Sequence, residues 1–282
     1  MAETYQWPGH KKVAVALSID FDGESPFLWK NRNTNWSSIG EYEHRKFGPR
    51  QGVHRIIDLL AEHNIKASFY IPGYTARKYP QIIKKIHNNG HEIGLHGDMH
   101  ELVDELNRDE LERTIVEPKK VIEDLIGEQV VGYRSPSWEL TADTIELLQK
   151  HDIQYDSSLM GYDHPYSIEG LPEIPVQWLL DDVVFYRYVG GGKVHNSPKN
   201  PQEVIEIWKE EFLGLKRYNG LFLLTMHPWV TGRASRIIGL ENLIQYFKND
   251  KDIWFATCKE IAEYHQENYQ GKFDEKVDII HR

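Results

Sequence analysis

The 282-residue sequence predicts an α/β barrel, in which parallel strands alternate with helices. Two observations support this fold class. Short runs rich in β-branched and aromatic residues alternate with longer segments whose apolar residues recur at helical spacing. The β–α unit repeats about seven times, which favours a barrel over a doubly wound sheet. A chain of this length buries roughly three quarters of its unfolded surface, so we expect residues 1–282 to form a single domain without disulfides.

Each predicted strand is a short apolar run, and a segment with helical spacing follows most of them. The predicted strands are Val13–Ile19, Lys66–Ile71, Glu92–Leu95, Val130–Tyr133, Ile153–Tyr155, Leu221–Met226 and Ile253–Ala256. The predicted helices are Val53–His63, Pro80–Asn88, Asp109–Ile126, Thr141–Lys150, Pro201–Arg217, Ile237–Phe247 and Lys259–Tyr269. Helix ends carry the expected signals, since Gly90 follows the second helix and Thr141 precedes the fourth as an N-cap.

Two segments interrupt this alternation. Residues 161–201 contain three consecutive glycines and several prolines, and we expect them to form an insertion over the active face of the barrel. Residues 270–282 are largely polar and are expected to form a peripheral tail.

The composition excludes several classes of protein. The net charge of −10, from 33 basic and 43 acidic residues, argues against a nucleic-acid partner. The single cysteine, Cys258, excludes a disulfide framework and a cysteine-rich metal site. The apolar runs are far shorter than the roughly 18 residues of a membrane span, and the first residues lack the pattern of a secretory signal. We therefore expect a cytoplasmic protein with no membrane partner.

Two aspartates follow the first strand, in the sequence Ile19-Asp20-Phe21-Asp22-Gly23. In a barrel of parallel strands, catalytic groups collect at the carboxyl ends of the strands. Alternate residues of a strand point to the same face, so Asp20 and Asp22 should lie side by side. Two neighbouring carboxylates need a cation or a proton between them. The alternative interpretation is an Asp-Gly turn in solvent.

Two pairs of histidines are spaced four residues apart. His96 and His100 follow the third strand, and in a helical segment this spacing can direct two imidazole rings at one metal ion. With Asp22 they would form a set of two imidazoles and one carboxylate that leaves positions open for water and substrate. His87 and His91 flank an Asn-Asn-Gly turn and are not expected to share a ligand.

Two other strand ends carry polar residues. Arg134 follows the fourth strand, where a guanidinium can hold a catalytic carboxylate by a bidentate bond and lower its pKa. His227 directly follows the apolar strand Leu221–Met226. A lone histidine in this position is more often structural, but it lies at the same end of the predicted barrel as the aspartates and is therefore a candidate functional residue.

Together these motifs resemble the polysaccharide deacetylase family, over most of the chain from Val13 to His227. The usual Asp-Asp motif of the family corresponds to Asp20-Phe21-Asp22, and its His-Ser/Thr-x-x-His motif corresponds to His96–His100. The Arg-x-Pro-x-aromatic motif begins at Arg134 and includes Trp138. The resemblance implies a distorted (β/α)7 barrel that hydrolyses amide bonds with one divalent metal ion.

The resemblance also implies roles for individual residues. Three would hold the metal ion, expected to be Zn²⁺: Asp22, His96 and His100. The ion would polarise the scissile carbonyl and activate water. Asp20 would act as the general base, Arg134 would keep Asp20 ionised, and His227 would protonate the leaving nitrogen. Four residues are expected to contact substrate: Trp138, Glu139, Asp181 and Asp182.

Departures from the family pattern leave the substrate open. The Asp-x-Asp motif, Ser158–Met160 and Leu179–Asp182 resemble a cytoplasmic branch that includes peptidoglycan-deacetylase-like proteins, a metal-poor allantoinase type and cyclic imide hydrolases. The first hypothesis is hydrolysis of a small cyclic imide, ureide or related amide. The second is N-deacetylation of a sugar or of peptidoglycan, and the third is a metal-poor or inactive barrel that only binds a ligand.

The shape of the active face would separate the first two hypotheses. An open groove would favour a polymer, whereas a pocket capped by residues 161–201 would favour a small molecule. The resemblance also implies a homo-oligomer, because members of this branch are often tetramers.

Overall fold

The computed structural model describes residues 4–36, 39–188 and 198–277. The strands, β1 to β10, are Val13–Asp20, Ser68–Ile71, Glu92–Leu95, Gly132–Tyr133, Tyr155–Asp156, Tyr166–Ile168, Leu171–Glu173, Leu221–Met226, Ile253–Phe255 and Asp274–Glu275. The helices, α1 to α11, are Ser25–Lys30, Gly40–Phe47, Val53–His63, Gly73–Lys78, Pro80–Asn88, Arg108–Ile126, Ala142–Lys150, Asp182–Tyr186, Pro201–Arg217, Ala234–Lys248 and Cys258–Tyr269. No helix among these residues is long and apolar enough to cross a membrane.

Seven strands form a continuous parallel path in the order β8–β1–β2–β3–β4–β5–β7. Beyond β7, a single parallel bridge joins Asp181 to Thr225 of β8. Within the described part of the chain, this bridge connects the segment that follows β7 to β8, the strand at the other edge of the curled sheet. The predicted α/β class with a distorted barrel is confirmed.

The seventh strand of this path is not the one predicted. Ile253–Phe255 (β9) pairs with the first half of β1, on the edge that β2 occupies further along. Its expected place is taken by Leu171–Glu173 (β7), which lies beside β5 with Glu173 opposite Asp156. β7 and β6 form a hairpin of three-residue strands, which is too short to give a recognisable alternating pattern.

Residues 161–201 therefore have two structural roles rather than forming only an insertion over one face. Residues 166–173 belong to the sheet, and residues 178–187 reach the carboxyl ends of the strands. Residues 189–197 lie outside the described residues. The expected tail also joins the sheet, because Asp274–Glu275 (β10) pairs with β6; residues 278–282 are likewise outside the description.

Alternation along the strands separates two apolar clusters. Odd-numbered residues of β1, such as Val15 and Leu17, pack in the cluster that the surrounding helices cover, whereas Ala14 and Ala16 belong to the second, interior cluster. Aromatic side chains and α11 fill this interior at the amino end of the barrel: Tyr5, Trp7, Tyr70, Tyr155 and Ile261. Polar side chains of the interior therefore collect at the opposite end.

Two helices, α1 and α2, were not predicted between the first strand and Val53. α1 has only six residues, and α2 is a polar helix in which Arg45 is the buried residue. Neither helix repeats apolar residues over enough turns to give a helical pattern. Together they form a wall beside the strand ends.

His91 makes the stability of the fold sensitive to acid. Its ring is buried before β3, where Nδ1 accepts the Ala67 N–H at 3.3 Å. Burial, with a contribution from Lys66, lowers the pKa of His91 from 6.5 to about 4. The unfolded chain therefore binds a proton between these pH values that the folded chain does not bind. We expect this residue to lower the free energy of unfolding by up to about 3 kcal/mol as the pH falls through this range.

Urea unfolding from about pH 7 to about pH 4.5 measures this slope. His91→Asn retains a hydrogen-bond acceptor without a titrating ring, so its stability should depend less steeply on pH than that of the wild type. His87→Asn removes a histidine from the end of the preceding helix and should leave the slope unchanged. A wild-type slope in His91→Asn would assign the acid sensitivity to other groups.

Candidate metal centre and active site

Asp22, His96 and His100 converge at the carboxyl ends of β1 and β3. Their candidate ligand atoms all lie within 4.8 Å of one another, and His96 Nε2 is 3.5 Å from Asp22 Oδ1. The rings of His96 and His100 meet edge to face, with centroids 5.0 Å apart. Ligand atoms around a tetrahedral ion with bonds of about 2.0–2.1 Å lie roughly 3.3 Å apart. The cluster therefore has the dimensions of a site for one ion.

The chemistry of these residues fits a divalent cation. Asp22 is buried, and its Oδ1 has no hydrogen-bond partner among the described residues. Burial raises the pKa of Asp22, and His227 and His96 only partly offset this effect. His96 Nδ1 lies 2.7 Å from the Arg134 carbonyl oxygen, so it carries the ring proton and leaves the Nε2 lone pair for a metal. Burial also holds the pKa of His100 well below its usual range, which keeps the ring neutral as a ligand requires.

The histidine pair is not on a helix, and this corrects the geometry expected from its spacing. Residues 96–100 form a bend after β3. Gly97 adopts φ +67°, and a Cβ there would lie 3.0 Å from Glu101 Oε2. The same oxygen accepts the N–H groups of Asp98 and Met99 at 3.0 and 2.8 Å. The Glu101 carboxylate thus folds the loop so that the two rings meet.

Asp20 is held by a buried arginine. Arg134 Nη1 donates to Asp20 Oδ1 at 2.8 Å in a single bond, rather than the bidentate pair expected from the sequence. The other guanidinium bonds go to Ser18 Oγ, Thr225 Oγ1, and the carbonyl and hydroxyl oxygens of Ser157. Burial opposes ionisation of Asp20, but Arg134 and two nearby histidines lower its pKa below the usual value. Asp20 lines the pocket as a carboxylate and can accept a proton.

His227 lies close to Asp22 and is oriented by Asp182. His227 Nε2 is 3.8 Å from Asp22 Oδ2, and Nδ1 is 2.8 Å from Asp182 Oδ1. The second Asp182 oxygen accepts the His227 N–H at 2.8 Å and the Thr231 hydroxyl at 2.5 Å. Burial opposes protonation of the ring, but Asp182, Asp181 and Asp22 together raise the pKa of His227 to about 10. These carboxylates therefore favour the protonated imidazole, which can donate a proton.

Asp182 was expected to contact substrate, and the structure corrects this assignment. Its side chain is fully buried, and both of its oxygens bond to His227 or Thr231. It positions the imidazole instead. Asp181, by contrast, lines the pocket and accepts the Val183 N–H at 2.8 Å. Burial raises the pKa of Asp181 to about 7, although His227 acts in the opposite direction.

Asp181, Asp182 and His227 also bring ligand atoms within 4.8 Å of one another. We assign no metal to this group, because Asp182 has no oxygen left for an ion and the protonated imidazole already supplies the positive charge. The two groups thus differ in function: the group around Asp22 is suited to binding a metal ion, and the group around His227 is suited to donating a proton.

A cavity of about 600 Å³ opens over these residues. Trp138 and Trp178 stack with ring centroids 4.4 Å apart and form one apolar wall. Trp29 and Trp229 line other parts of it. Glu139, which was expected to contact substrate, is not brought into the pocket: its side chain is exposed, and Oε1 accepts the neighbouring Leu140 N–H at 3.3 Å.

Several residues of the site, in the pocket or bonded to Arg134 beneath it, were missed by the sequence analysis. Ser18 could have been found, because it lies on the same face of β1 as Asp20 and Asp22. Arg45 and Glu41 lie on α2, and Arg187 follows α8; these two helices were not predicted, so no pattern placed the three residues at the active face.

An α/β barrel that carries a carboxylate base, an imidazole acid and a three-ligand site at its strand ends has the construction of a hydrolase. Residues 47–155 match the family model described as polysaccharide deacetylase. A solved structure of a provisionally assigned polysaccharide deacetylase from Mycobacterium smegmatis is 35% identical, with 94% of each chain covered and a TM-score of 0.89. The chain therefore belongs to the polysaccharide deacetylase family, whose members hydrolyse non-peptide C–N bonds.

Two other relatives extend this comparison. A peptidoglycan deacetylase from Helicobacter pylori is 26% identical over 90% of this chain and 96% of its own length. The structure of Puue allantoinase superposes with a TM-score of 0.83 over 95% of this chain and 96% of the other, at 18% identity, which shows a shared fold. The predicted family is confirmed, and the deacetylases of this family depend on a metal ion.

The metal site can be tested through the two histidine pairs. We expect His96→Ala to remove stoichiometric metal binding, because the one buried carboxylate and one imidazole that remain are too few to hold a divalent ion tightly. His87→Ala serves as the control, since His87 lies at the end of α5 near Glu128 and away from the cluster. Metal content after dialysis against Zn²⁺, measured by mass spectrometry, reports the outcome. Full occupancy in His96→Ala would remove the proposed ligand set.

Asp20 and Asp22 should respond differently to the same substitution. Asp20→Asn should keep the metal but lose about 10² to 10⁴-fold in turnover, the usual contribution of a general base. Asp22→Asn should weaken metal binding, because it removes the anionic ligand. The two changes are nearly isosteric and two residues apart, so a folding defect would affect both alike. Equal metal loss in the two variants would mean that both aspartates coordinate the ion and that the base is another group.

Proposed function

We propose that this protein hydrolyses a non-peptide C–N bond in a small cyclic imide, ureide or related amide, with one Zn²⁺ ion held by Asp22, His96 and His100. The proposal depends on one observation: Asp20, bonded to Arg134 at 2.8 Å, and His227, bonded to Asp182 at 2.8 Å, line the same pocket as Asp22, and these partners lower the pKa of Asp20 and raise that of His227. Two titratable groups whose environments move their pKa values in opposite directions supply a base and an acid at the same pH.

The residues of the chain can divide the proton transfers of hydrolysis between them. A divalent ion in this site would supply Lewis-acid activation of the carbonyl and the water. Asp20 takes the proton from the attacking water, and Arg134 keeps Asp20 ionised until it does so. His227 delivers a proton from Nε2 to the leaving nitrogen, with Asp182 fixing the ring through Nδ1. The carbonyl carbon gains the water oxygen as the C–N bond breaks, and the nitrogen leaves protonated.

The dimensions of the pocket support a small substrate. A volume of about 600 Å³ falls within the range of about 300–1,000 Å³ that is usual for small-molecule sites. The pocket has a wall on one side from α1 and α2, with Trp29 and Glu41, and a wall on the other from the stacked Trp138 and Trp178. Residues 178–187, part of the segment 161–201, contribute Trp178, Asp181, Val183 and Arg187 to this lining.

N-deacetylation of a sugar is the second candidate function. It is supported by the Helicobacter pylori peptidoglycan deacetylase, which resembles this chain over most of both lengths. An acetamido group requires the same base and acid as an imide, so Asp20 and His227 serve both reactions. Substrate size is what separates the two proposals.

A product-release assay across three substrate types tests the proposed function. Succinimide-type imides, allantoin and N-acetylglucosamine oligomers are each incubated with the protein, with and without Zn²⁺. We expect turnover of an imide or ureide that requires Zn²⁺ and is lost in Asp20→Asn but retained in His87→Ala. Release of acetate from the oligomers alone would favour the second candidate. No turnover of any compound by the Zn²⁺-loaded protein would contradict both.

A further inference from the structure

Arg45 is a buried guanidinium that lines the pocket without a hydrogen-bond partner among the described residues. Only 6% of the residue is exposed, and within the described part of the chain none of its five N–H groups makes a hydrogen bond. Its nearest carboxylate, Glu41 Oε1, lies 3.9 Å from Nε, beyond hydrogen-bond distance. A buried guanidinium whose N–H donors make no hydrogen bonds is costly. The pocket therefore presents unused donors to whatever occupies it.

The backbone fixes Arg45 relative to the loop that carries His227. A Cβ on Gly52 would lie 1.9 Å from the Pro228 carbonyl oxygen, so the two main chains are in direct contact. Arg45 Cζ also lies 4.8 Å from the centre of the Trp229 ring. The backbone contact lies in the turn just after α2 and the ring contact involves Arg45 itself, so both hold this end of α2 against the loop that carries His227.

Arg187 lines the same pocket but comes from a different part of the chain than Arg45. It follows α8, and its Nη2 lies 3.9 Å from Glu41 Oε1, again without a hydrogen bond. Its Nε is buried and has no partner among the described residues. One carboxylate thus lies between two guanidinium groups and bonds to neither of them. A planar anion with two oxygens matches the donors that remain.

The charges that line the pocket are divided between two regions. Asp20, Asp22 and Asp181 lie around the metal position, where a divalent ion would balance them. Away from it, Arg32 pairs with Glu105 at 2.8 Å. The remaining lining groups there are Lys30, Arg187 and Glu41, and Arg45 lies between the two regions, because it acts electrostatically on both Asp22 and Glu41. Three cations therefore face one carboxylate in a protein whose net charge is −10.

We propose that Arg45 and Arg187 bind a carboxylate of the substrate, so that the preferred amide, imide or ureide is an acid whose anionic group is separate from the scissile bond. This inference rests on the proposed hydrolase function. It identifies a substrate class, because a neutral imide or an unmodified N-acetylglucosamine would leave the guanidinium donors unpaired. Leaving buried donors unpaired lowers the affinity, so such a site discriminates strongly between ligands that differ only in the carboxylate.

Two matched pairs of compounds test the carboxylate directly. Dihydroorotate differs from dihydrouracil only in its carboxylate, and N-acetylmuramic acid differs from N-acetylglucosamine only in its lactyl group. For the Zn²⁺-loaded protein, we expect kcat/KM to be at least about tenfold higher for the acidic member of the pair that is hydrolysed. Arg45→Met should lower kcat/KM for that member by about 10- to 100-fold and change the neutral member little, while Arg45→Lys should retain part of the preference.

Arg50→Met is the matched control, because Arg50 is an exposed residue just beyond α2 that pairs with Glu43 outside the pocket. It should leave the preference intact. Arg187→Met, at a side chain that is 38% exposed, provides a second variant if Arg45→Met does not fold. Its preference for the acidic member should also fall.

Calorimetric binding of all four compounds to the Asp20→Asn protein separates this inference from the proposed function. Tighter binding of the acidic members that Arg45→Met abolishes would support the carboxylate site even if no compound is hydrolysed. Equal binding of both members of each pair, or no binding of either acid, would overturn it. An unchanged preference in Arg45→Met and Arg187→Met would also overturn it.

Discussion

The ion pair between Arg134 and Asp20 is the interaction on which the rest of the site depends. The guanidinium bonds to side chains or backbone of β1, β8 and the residue after β5, and it lies 4.1 Å from the centre of the Tyr70 ring on β2. One side chain therefore ties together strands from around the barrel at the level where the apolar interior ends. Removing one partner of such a buried pair typically costs about 3–5 kcal/mol, because the other charge is left without compensation.

The Arg134–Asp20 pair also determines which aspartate of the pocket can act as a base and which can bind a metal ion. Arg134 satisfies Asp20 from inside the barrel, whereas Asp22 Oδ1, two residues later, has no hydrogen-bond partner among the described residues and is free to bind a metal ion. His227 lies near Asp22 but has its own carboxylate in Asp182. The aspartate beside the arginine can thus remain ionised as a base, and the aspartate without one is suited to a metal. Neighbouring residues of the same type acquire different chemistry from their partners alone.

The sequence predicted the residues at strand ends well, because an apolar run that stops at a polar residue marks both the strand and its carboxyl end. Asp20, Asp22, Arg134 and His227 were found in this way. The sequence could not predict β7, since a three-residue strand shows no period. Nor could it predict the orientation of His96 and His100, which depends on a carboxylate bonding to backbone groups of its own loop rather than on helical spacing.

The contact between Gly52 and Pro228 has a consequence for how new specificities can arise on this barrel. Because main chain meets main chain there, the distance between the turn just after α2 and the loop of the proton donor does not depend on which side chains α2 carries. Exchanging residues on the pocket side of that helix can therefore change which molecule is accepted without moving the acid. A larger residue at position 52 would have the opposite effect and would alter chemistry and recognition together. The scaffold thus separates positions at which substrate range can evolve gradually from one at which it cannot.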